Sequence, residues 1–110
     1  MRNRYCLALD LQDDEHLIAE YEAHHRLIWP EVRKSILDAG IESLEIYRIS
    51  NRLFMIMEVN EDFSFAKKSA MDLENPVVQE WEKLMWKYQQ ALPGAKPGEK
   101  WMLMDRIFSL

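Results

Sequence analysis

The 110-residue sequence predicts an α+β fold, in which helices cover one face of an antiparallel sheet. Three observations predict this fold. Short runs of apolar and β-branched residues alternate with longer stretches in which apolar residues recur at helical spacing. The segments follow the order strand, helix, strand, strand, helix, strand. Two of the strand-like runs are separated by only two residues, which indicates a hairpin.

The first half of the chain predicts a strand and a broken helix. The stretch RYCLALDL, residues 4–11, is short and apolar, and the acidic pair that follows it caps a helix. Helical spacing continues to about residue 39, but Pro30 lacks a backbone donor and restricts the residue before it. We therefore expect two helical pieces, with Gly40 as the C-cap of the second.

The second half predicts a hairpin, two helices and a last strand. The segments are ESLEIYRI (42–49), RLFMIMEV (52–59), a short helix at 64–72, the helix VVQEWEKLMWKYQQAL (77–92) and the strand WMLMDRIF (101–108). Asn75 and Pro76 supply a cap and a first-turn proline for the longer helix. This order is the split βαβ, or ferredoxin-like, plan. The length suits one domain, residues 1–110.

The predicted strands carry large apolar residues on both faces. Leu53 and Met55 alternate with Phe54 and Ile56, although helices cover only one face of such a sheet. A second copy of the chain is the economical cover for the other face. Trp86 projects away from the apolar side of its helix and is expected at that interface. We therefore predict a homodimer of the dimeric α/β barrel type.

Composition excludes several classes of function. The formal net charge is −5 and no stretch clusters Lys and Arg, which argues against nucleic-acid binding. No apolar run is long enough for a signal peptide or a membrane span. A single cysteine, Cys6, cannot form an intrachain disulfide and suits a reducing compartment. We expect a cytoplasmic protein that binds neither nucleic acid nor membrane.

Two adjacent histidines lie in the segment EYEAHHRLIWPE, residues 20–31. Counting about 100° per residue from Leu17 places His25 in the apolar stripe, one turn from Tyr21, and His24 at its margin. An imidazole exchanges protons near neutral pH, and a phenol one turn away can orient it or polarise the same ligand. A histidine on an apolar stripe is more often a core residue, so both interpretations stay open.

Other kinds of site have weaker support. The spacing of Glu20 and His24 is a poor metal signal without an HExxH motif, so we expect no metal. A Gly-rich phosphate loop and a GxSxG serine are both missing. Aromatic residues near a polar pocket can stack on sugar rings, and Trp29, Tyr47 and Trp81 are the candidates.

The segments YEAHHRLIWPE, IYRISNRLFMIMEV and VVQEWEKLMWKY resemble the L-rhamnose mutarotase family, which also includes L-fucose mutarotases. The resemblance covers nearly the entire chain. It implies a dimeric ferredoxin-like enzyme without a cofactor, which interconverts the α and β anomers of a 6-deoxy-L-hexose. By position, the family's acid/base histidine falls on His25, its neighbouring tyrosine on Tyr21 and its sugar-packing tryptophan on Trp81.

The sequence departs from the rhamnose-type pattern at two positions. Leu44 stands where rhamnose-type members carry a tyrosine, and Glu82 stands where they carry a second tryptophan. The resemblance therefore leaves both L-rhamnose and L-fucose open as the monosaccharide substrate. Two alternatives also remain at this point. One is a small monooxygenase of the dimeric ferredoxin-like type, and the other is a dimer that binds a sugar without catalysis.

Overall fold

The computed structural model describes residues 3–110. In chain order the elements are β1 (Asn3–Leu11), α1 (Glu15–Arg26), α2 (Pro30–Asp38), β2 (Ile41–Ile49), β3 (Arg52–Val59), α3 (Phe65–Glu74), α4 (Pro76–Trp86), β4 (Gln89–Gln90) and β5 (Met102–Leu103). The sheet has the order β2-β3-β1-β4, with β5 also on β1, and these pairings are antiparallel. The predicted α+β, ferredoxin-like plan is confirmed.

Local signals in the sequence explain the break between α1 and α2. The Asp14 carboxylate accepts hydrogen bonds from the backbone N–H groups of His16 and Leu17, which caps α1. Trp29 is extended, with ψ at 134°, because it precedes Pro30, and α2 begins at that proline. The two helical pieces predicted from the sequence are confirmed.

The core lies between the helices and one face of the sheet. Leu9 and Leu11 of β1 and Leu53 of β3 are almost completely buried there. Trp81 of α4 packs in the same cluster, so the long helix is held against the sheet by an aromatic side chain. Burial of this apolar surface supplies most of the stabilisation of such a layer.

Helix α4 is shorter than predicted. It ends at Trp86, and the Tyr88 N–H donates to the carbonyl of Met85 at 2.9 Å, which tightens the last turn. The Tyr88 carbonyl then accepts from the N–H of Gln12 at 2.8 Å, and β4 pairs with the end of β1. The predicted helix to residue 92 is therefore wrong beyond Trp86, because pairing with β1 outweighs the helix propensity of two glutamines.

The last strand is also shorter than predicted. Only Met102 and Leu103 pair with β1, and the Met104 N–H donates to the carbonyl of Cys6 at 2.8 Å. The chain leaves β1 after this hydrogen bond, so the predicted strand over 101–108 is wrong after Leu103. Among residues 3–110, no helix is both long and apolar enough to cross a membrane.

Candidate active site

A cavity of about 420 Å³ lies between the helices and the sheet. Aliphatic side chains form most of its wall, five of them from α2, β2 and β3, and Trp81 and Trp101 add aromatic surface. Polar groups enter the wall from Tyr21, His25 and Gln89. A mostly apolar pocket with a few polar groups is the usual form of a small-molecule site.

A second cavity, of about 250 Å³, adjoins the first and shares much of its wall. Its outer part carries charged side chains, including the Lys68–Asp72 ion pair at 2.6 Å. Leu44 lines both cavities, and Glu82 lines the second. Both departures from the rhamnose-type pattern therefore lie where they can contact a ligand.

A backbone carbonyl determines which ring nitrogen of His25 carries the proton. Its Nδ1 lies 2.9 Å from the carbonyl oxygen of Tyr21, one turn earlier in α1. Because a carbonyl only accepts hydrogen bonds, Nδ1 carries the proton of the neutral ring and Nε2 keeps its lone pair. Burial is the main cause that lowers the pKa of His25, and the charge of His24 lowers it further. The hydrogen bond with the Tyr21 carbonyl partly opposes this decrease. The ring is thus neutral at neutral pH.

Tyr21 lies directly against this imidazole. The two ring centroids are 4.3 Å apart, and the phenol is buried. Burial raises the pKa of Tyr21 to about 12, and a hydrogen bond from the Gln89 side chain partly offsets the rise. The phenol therefore keeps its proton at neutral pH and is a donor on the cavity wall.

His24 has different surroundings. Its Nε2 lies 3.2 Å from the Tyr88 hydroxyl, and its ring does not line the cavity. The structure thus separates the two histidines as the helical count predicted, with His25 toward the cavity and His24 toward α4 and β4.

Of the three predicted sugar-stacking residues, only Trp81 lines the larger cavity. Trp81 is on the cavity wall, whereas Trp29 packs edge-on against Trp81, with ring centroids 5.2 Å apart, and is not on the wall. Tyr47 is 54% exposed and pairs with Phe54 on the opposite face of the sheet. Side chains alternate along β2, so Tyr47 points away when Leu44 and Ile46 face the cavity.

The sequence did not single out Gln89 or Trp101 as site residues. Gln89 enters the wall because α4 ends early and β4 turns back to β1. Trp101 enters it just before β5. Neither change of direction has a strong local signal, although the sequence did predict that a new strand begins at Trp101.

Metal-ligating groups are also dispersed. Within residues 3–110, no three His, Cys, Asp or Glu side chains come together in a group that could hold a metal ion. The polar side chains on the wall of the larger cavity carry an imidazole, a phenol and an amide.

The split βαβ topology and the apolar cavity with an imidazole and a phenol define a ferredoxin-like protein with a small-molecule site. A family model described as L-rhamnose mutarotase matches residues 4–110, and the chain belongs to this family.

Three known proteins are similar to it. An L-fucose mutarotase from Xanthomonas campestris pv. campestris is 53% identical over 97% of this chain and 87% of its own length. An L-rhamnose mutarotase from Phocaeicola vulgatus is 32% identical over 71% of this chain and 69% of its own. The crystal structure of an L-rhamnose mutarotase from Formosa agariphila has a TM-score of 0.72 and 20% identity, covers 98% of both chains, and supports the fold.

Proposed function

We propose that the protein is a mutarotase that interconverts the α and β anomers of a 6-deoxy-L-hexose, and that L-fucose is its substrate. The observation that carries the activity is the neutral imidazole of His25, with Nδ1 held by a backbone carbonyl, on the wall of an apolar cavity beside a buried phenol. The choice of L-fucose rests on the higher identity to an L-fucose mutarotase, 53% against 32% for an L-rhamnose mutarotase.

The proposed reaction opens and recloses the sugar ring. Nε2 of His25 removes the proton of the anomeric hydroxyl while the Tyr21 phenol gives its proton to the ring oxygen. The bond between C1 and the ring oxygen breaks as the carbonyl at C1 forms. Rotation about the C1–C2 bond and the reverse proton transfers then close the ring as the other anomer. Each positioned proton transfer contributes roughly 10²–10⁴-fold to the rate.

The cavity wall suits a 6-deoxy sugar. Trp81 offers an aromatic face for the C–H groups of a pyranose, and Trp101 adds a second aromatic side chain. The aliphatic side chains match the C6 methyl group, which these sugars carry in place of the hydroxymethyl group of other hexoses. Trp29 acts in this proposal only by packing against Trp81.

Anomer exchange measured by saturation-transfer NMR tests the activity. We expect enzyme-dependent exchange with L-fucose, slower exchange with L-rhamnose, and little with D-glucose. A chelator should leave these rates unchanged. Failure to exchange either 6-deoxy-L-hexose, including tight binding without exchange, would contradict the proposed activity. A rate with L-rhamnose equal to or above that with L-fucose would contradict only the choice of substrate.

We also propose that the protein is a homodimer in which the two sheets face each other. The face of the sheet away from the helices carries Ala8, Phe54 and Tyr47 in one cross-strand row. The C-terminal segment 104–110, which we call the C-terminal arm, exposes Ile107 and Phe108 by 95% and 76%. Apolar surface of this kind is typical of an interface. With a lone cysteine, we expect the dimer to work in a reducing cytoplasm.

A further inference from the structure

Gln89 is the polar side chain of the cavity wall to which the proposed mechanism assigns no role. It is 6% exposed and lines both cavities. Its backbone is fixed because β4 pairs it with Leu11, and its carbonyl accepts from Nε2 of Gln12 at 3.3 Å. The amide is thus held at the site by the sheet.

One atom of this amide lacks a partner. Among the side chains of residues 3–110, Gln89 Oε1 is the buried nitrogen or oxygen without a hydrogen-bond partner. Buried polar atoms in folded proteins are almost always hydrogen-bonded, and an unpaired acceptor destabilises the protein. Because Gln89 also lines both cavities, this unpaired acceptor is suited to a hydroxyl of a ligand bound there.

The neighbour of Gln89 indicates which hydroxyl this is. The amide contacts the phenol of Tyr21, which acts at the ring oxygen in the proposed mechanism. In a 6-deoxyhexose, C1 has the ring oxygen on one side, followed by C5 with its methyl group, and C2 with its hydroxyl on the other side. The C2 and C4 hydroxyls are equally many bonds from the ring oxygen, but only the C2 hydroxyl is attached next to the anomeric carbon, where the other proton transfer occurs.

We propose that Gln89 Oε1 accepts a hydrogen bond from the C2 hydroxyl of the sugar and thereby determines substrate specificity. This inference rests on the proposed function. L-Fucose and L-rhamnose have opposite configurations at C2 and at C4, so a fixed acceptor at C2 meets the hydroxyl of one sugar and not that of the other, and deoxy sugars separate the two positions. A site built to bind a hydroxyl discriminates strongly against a sugar that does not present it.

The test combines a deletion on the enzyme with a deletion on the sugar. Gln89→Leu removes the acceptor and keeps a similar volume, and 2-deoxy-L-fucose removes the hydroxyl. We expect Gln89→Leu to lower kcat/KM for L-fucose about tenfold more than it lowers kcat/KM for 2-deoxy-L-fucose. A loss common to both sugars reflects the contact with Tyr21. Gln90→Leu, at the exposed neighbour in β4, is the matched control and should change neither value.

Several outcomes overturn the inference. Equal losses for the two sugars would assign Gln89 a structural role only, and an unchanged kcat/KM would mean that water satisfies the amide. If Gln89→Leu instead lowers kcat/KM for L-fucose more than it lowers kcat/KM for 4-deoxy-L-fucose, the contact is with the C4 hydroxyl. If Gln89→Leu does not fold, the wild type still decides, since equal kcat/KM for L-fucose and its 2-deoxy form excludes the contact. A wild type inactive on every sugar overturns the proposed function and this inference with it.

Discussion

The backbone carbonyl of Tyr21 determines which nitrogen of His25 a substrate can use. It holds Nδ1 at 2.9 Å, so Nε2 is the nitrogen left for a ligand in the cavity. His24 has the opposite arrangement, since its Nε2 is already 3.2 Å from the hydroxyl of Tyr88. Two adjacent histidines therefore differ in which ring nitrogen a ligand can reach, because the rotation of about 100° between neighbouring helix positions directs them to different neighbours.

The histidines can be separated by substitution. His25→Ala should lower enzyme-dependent exchange of L-fucose at least about a hundredfold, because it removes a positioned proton transfer. His24→Ala should have a far smaller effect, and Tyr21→Phe an intermediate one, since it removes only the hydroxyl. Saturation-transfer NMR measures the rates after subtraction of the uncatalysed rate, and circular dichroism checks the fold. If enzyme-dependent exchange falls more in His24→Ala than in His25→Ala, the assignment of the proton transfer to His25 is wrong.

The pH dependence should follow from the lowered pKa of His25. Burial is the main cause of the shift, and the charge of His24 contributes in the same direction. Only the neutral imidazole can remove the proton, so activity falls as His25 becomes protonated. The acidic limb of kcat/KM should therefore have its midpoint below the usual histidine pKa of about 6.5. His24→Gln should raise this midpoint. A midpoint above 6.5 in the wild type would contradict the proposed environment.

Residue patterns predicted part of this site. The helical count placed Tyr21 and His25 together, because one strong apolar stripe sets the rotation of α1. The period of two along β2 already placed Tyr47 on the face opposite Leu44, although aromatic character alone had suggested a sugar contact. Gln89 had no such signal. Its position depends on a strand of two residues that pairs with the far end of the chain.

At the scale of single elements, the boundaries of helices and strands could be predicted where the sequence has a strong local signal. Pro30 separated α1 from α2 as predicted, whereas the C-cap of α2 is Ala39, and Gly40 follows it with a positive φ. The end of α4 could not be predicted in this way, since Gln89 and Gln90 are good helix formers and only contact with β1 makes them extended. The early end of β5 has no comparable local signal, since the sequence WMLMDRIF still predicts a strand beyond Leu103.

Gly40 should be more sensitive to substitution than another glycine with a similar backbone. Its φ is 97°, and an added Cβ would lie 2.4 Å from Oδ1 of Asn60, which accepts from the N–H of Asp62. Gly94 has a φ of 86° but no atom within 4 Å of an added Cβ. Gly94→Ala should lower the free energy of unfolding by about 1–2 kcal/mol from backbone strain alone. Gly40→Ala should lower it further, because the steric contact adds to the strain. Urea unfolding measures both, and equal losses would disprove the steric contribution.

At the scale of the whole molecule, the chain leaves apolar surface that its own helices do not cover. The sequence predicted strands with two apolar faces, and the row of Ala8, Phe54 and Tyr47 lies on the face away from the helices. Trp86 is weaker evidence for an interface than its helical position suggested. It is 39% exposed, and Nζ of Lys100 from the same chain lies 5.1 Å from its ring centroid.

The C-terminal arm provides a direct test of the proposed dimer. Its apolar side chains are exposed in the single chain, and pairing across a dimer would bury them beside the open sheet face. We expect the wild type to sediment as a dimer at micromolar concentration. Substituting Ile107 and Phe108 together by aspartate should give a monomer, because two charges at a buried interface are strongly unfavourable. Leu73→Asp is the matched control, since Leu73 is 72% exposed but lies on α3 in the helical layer. A monomeric wild type, or a dimer unaffected by the double substitution in the arm, would contradict this assembly.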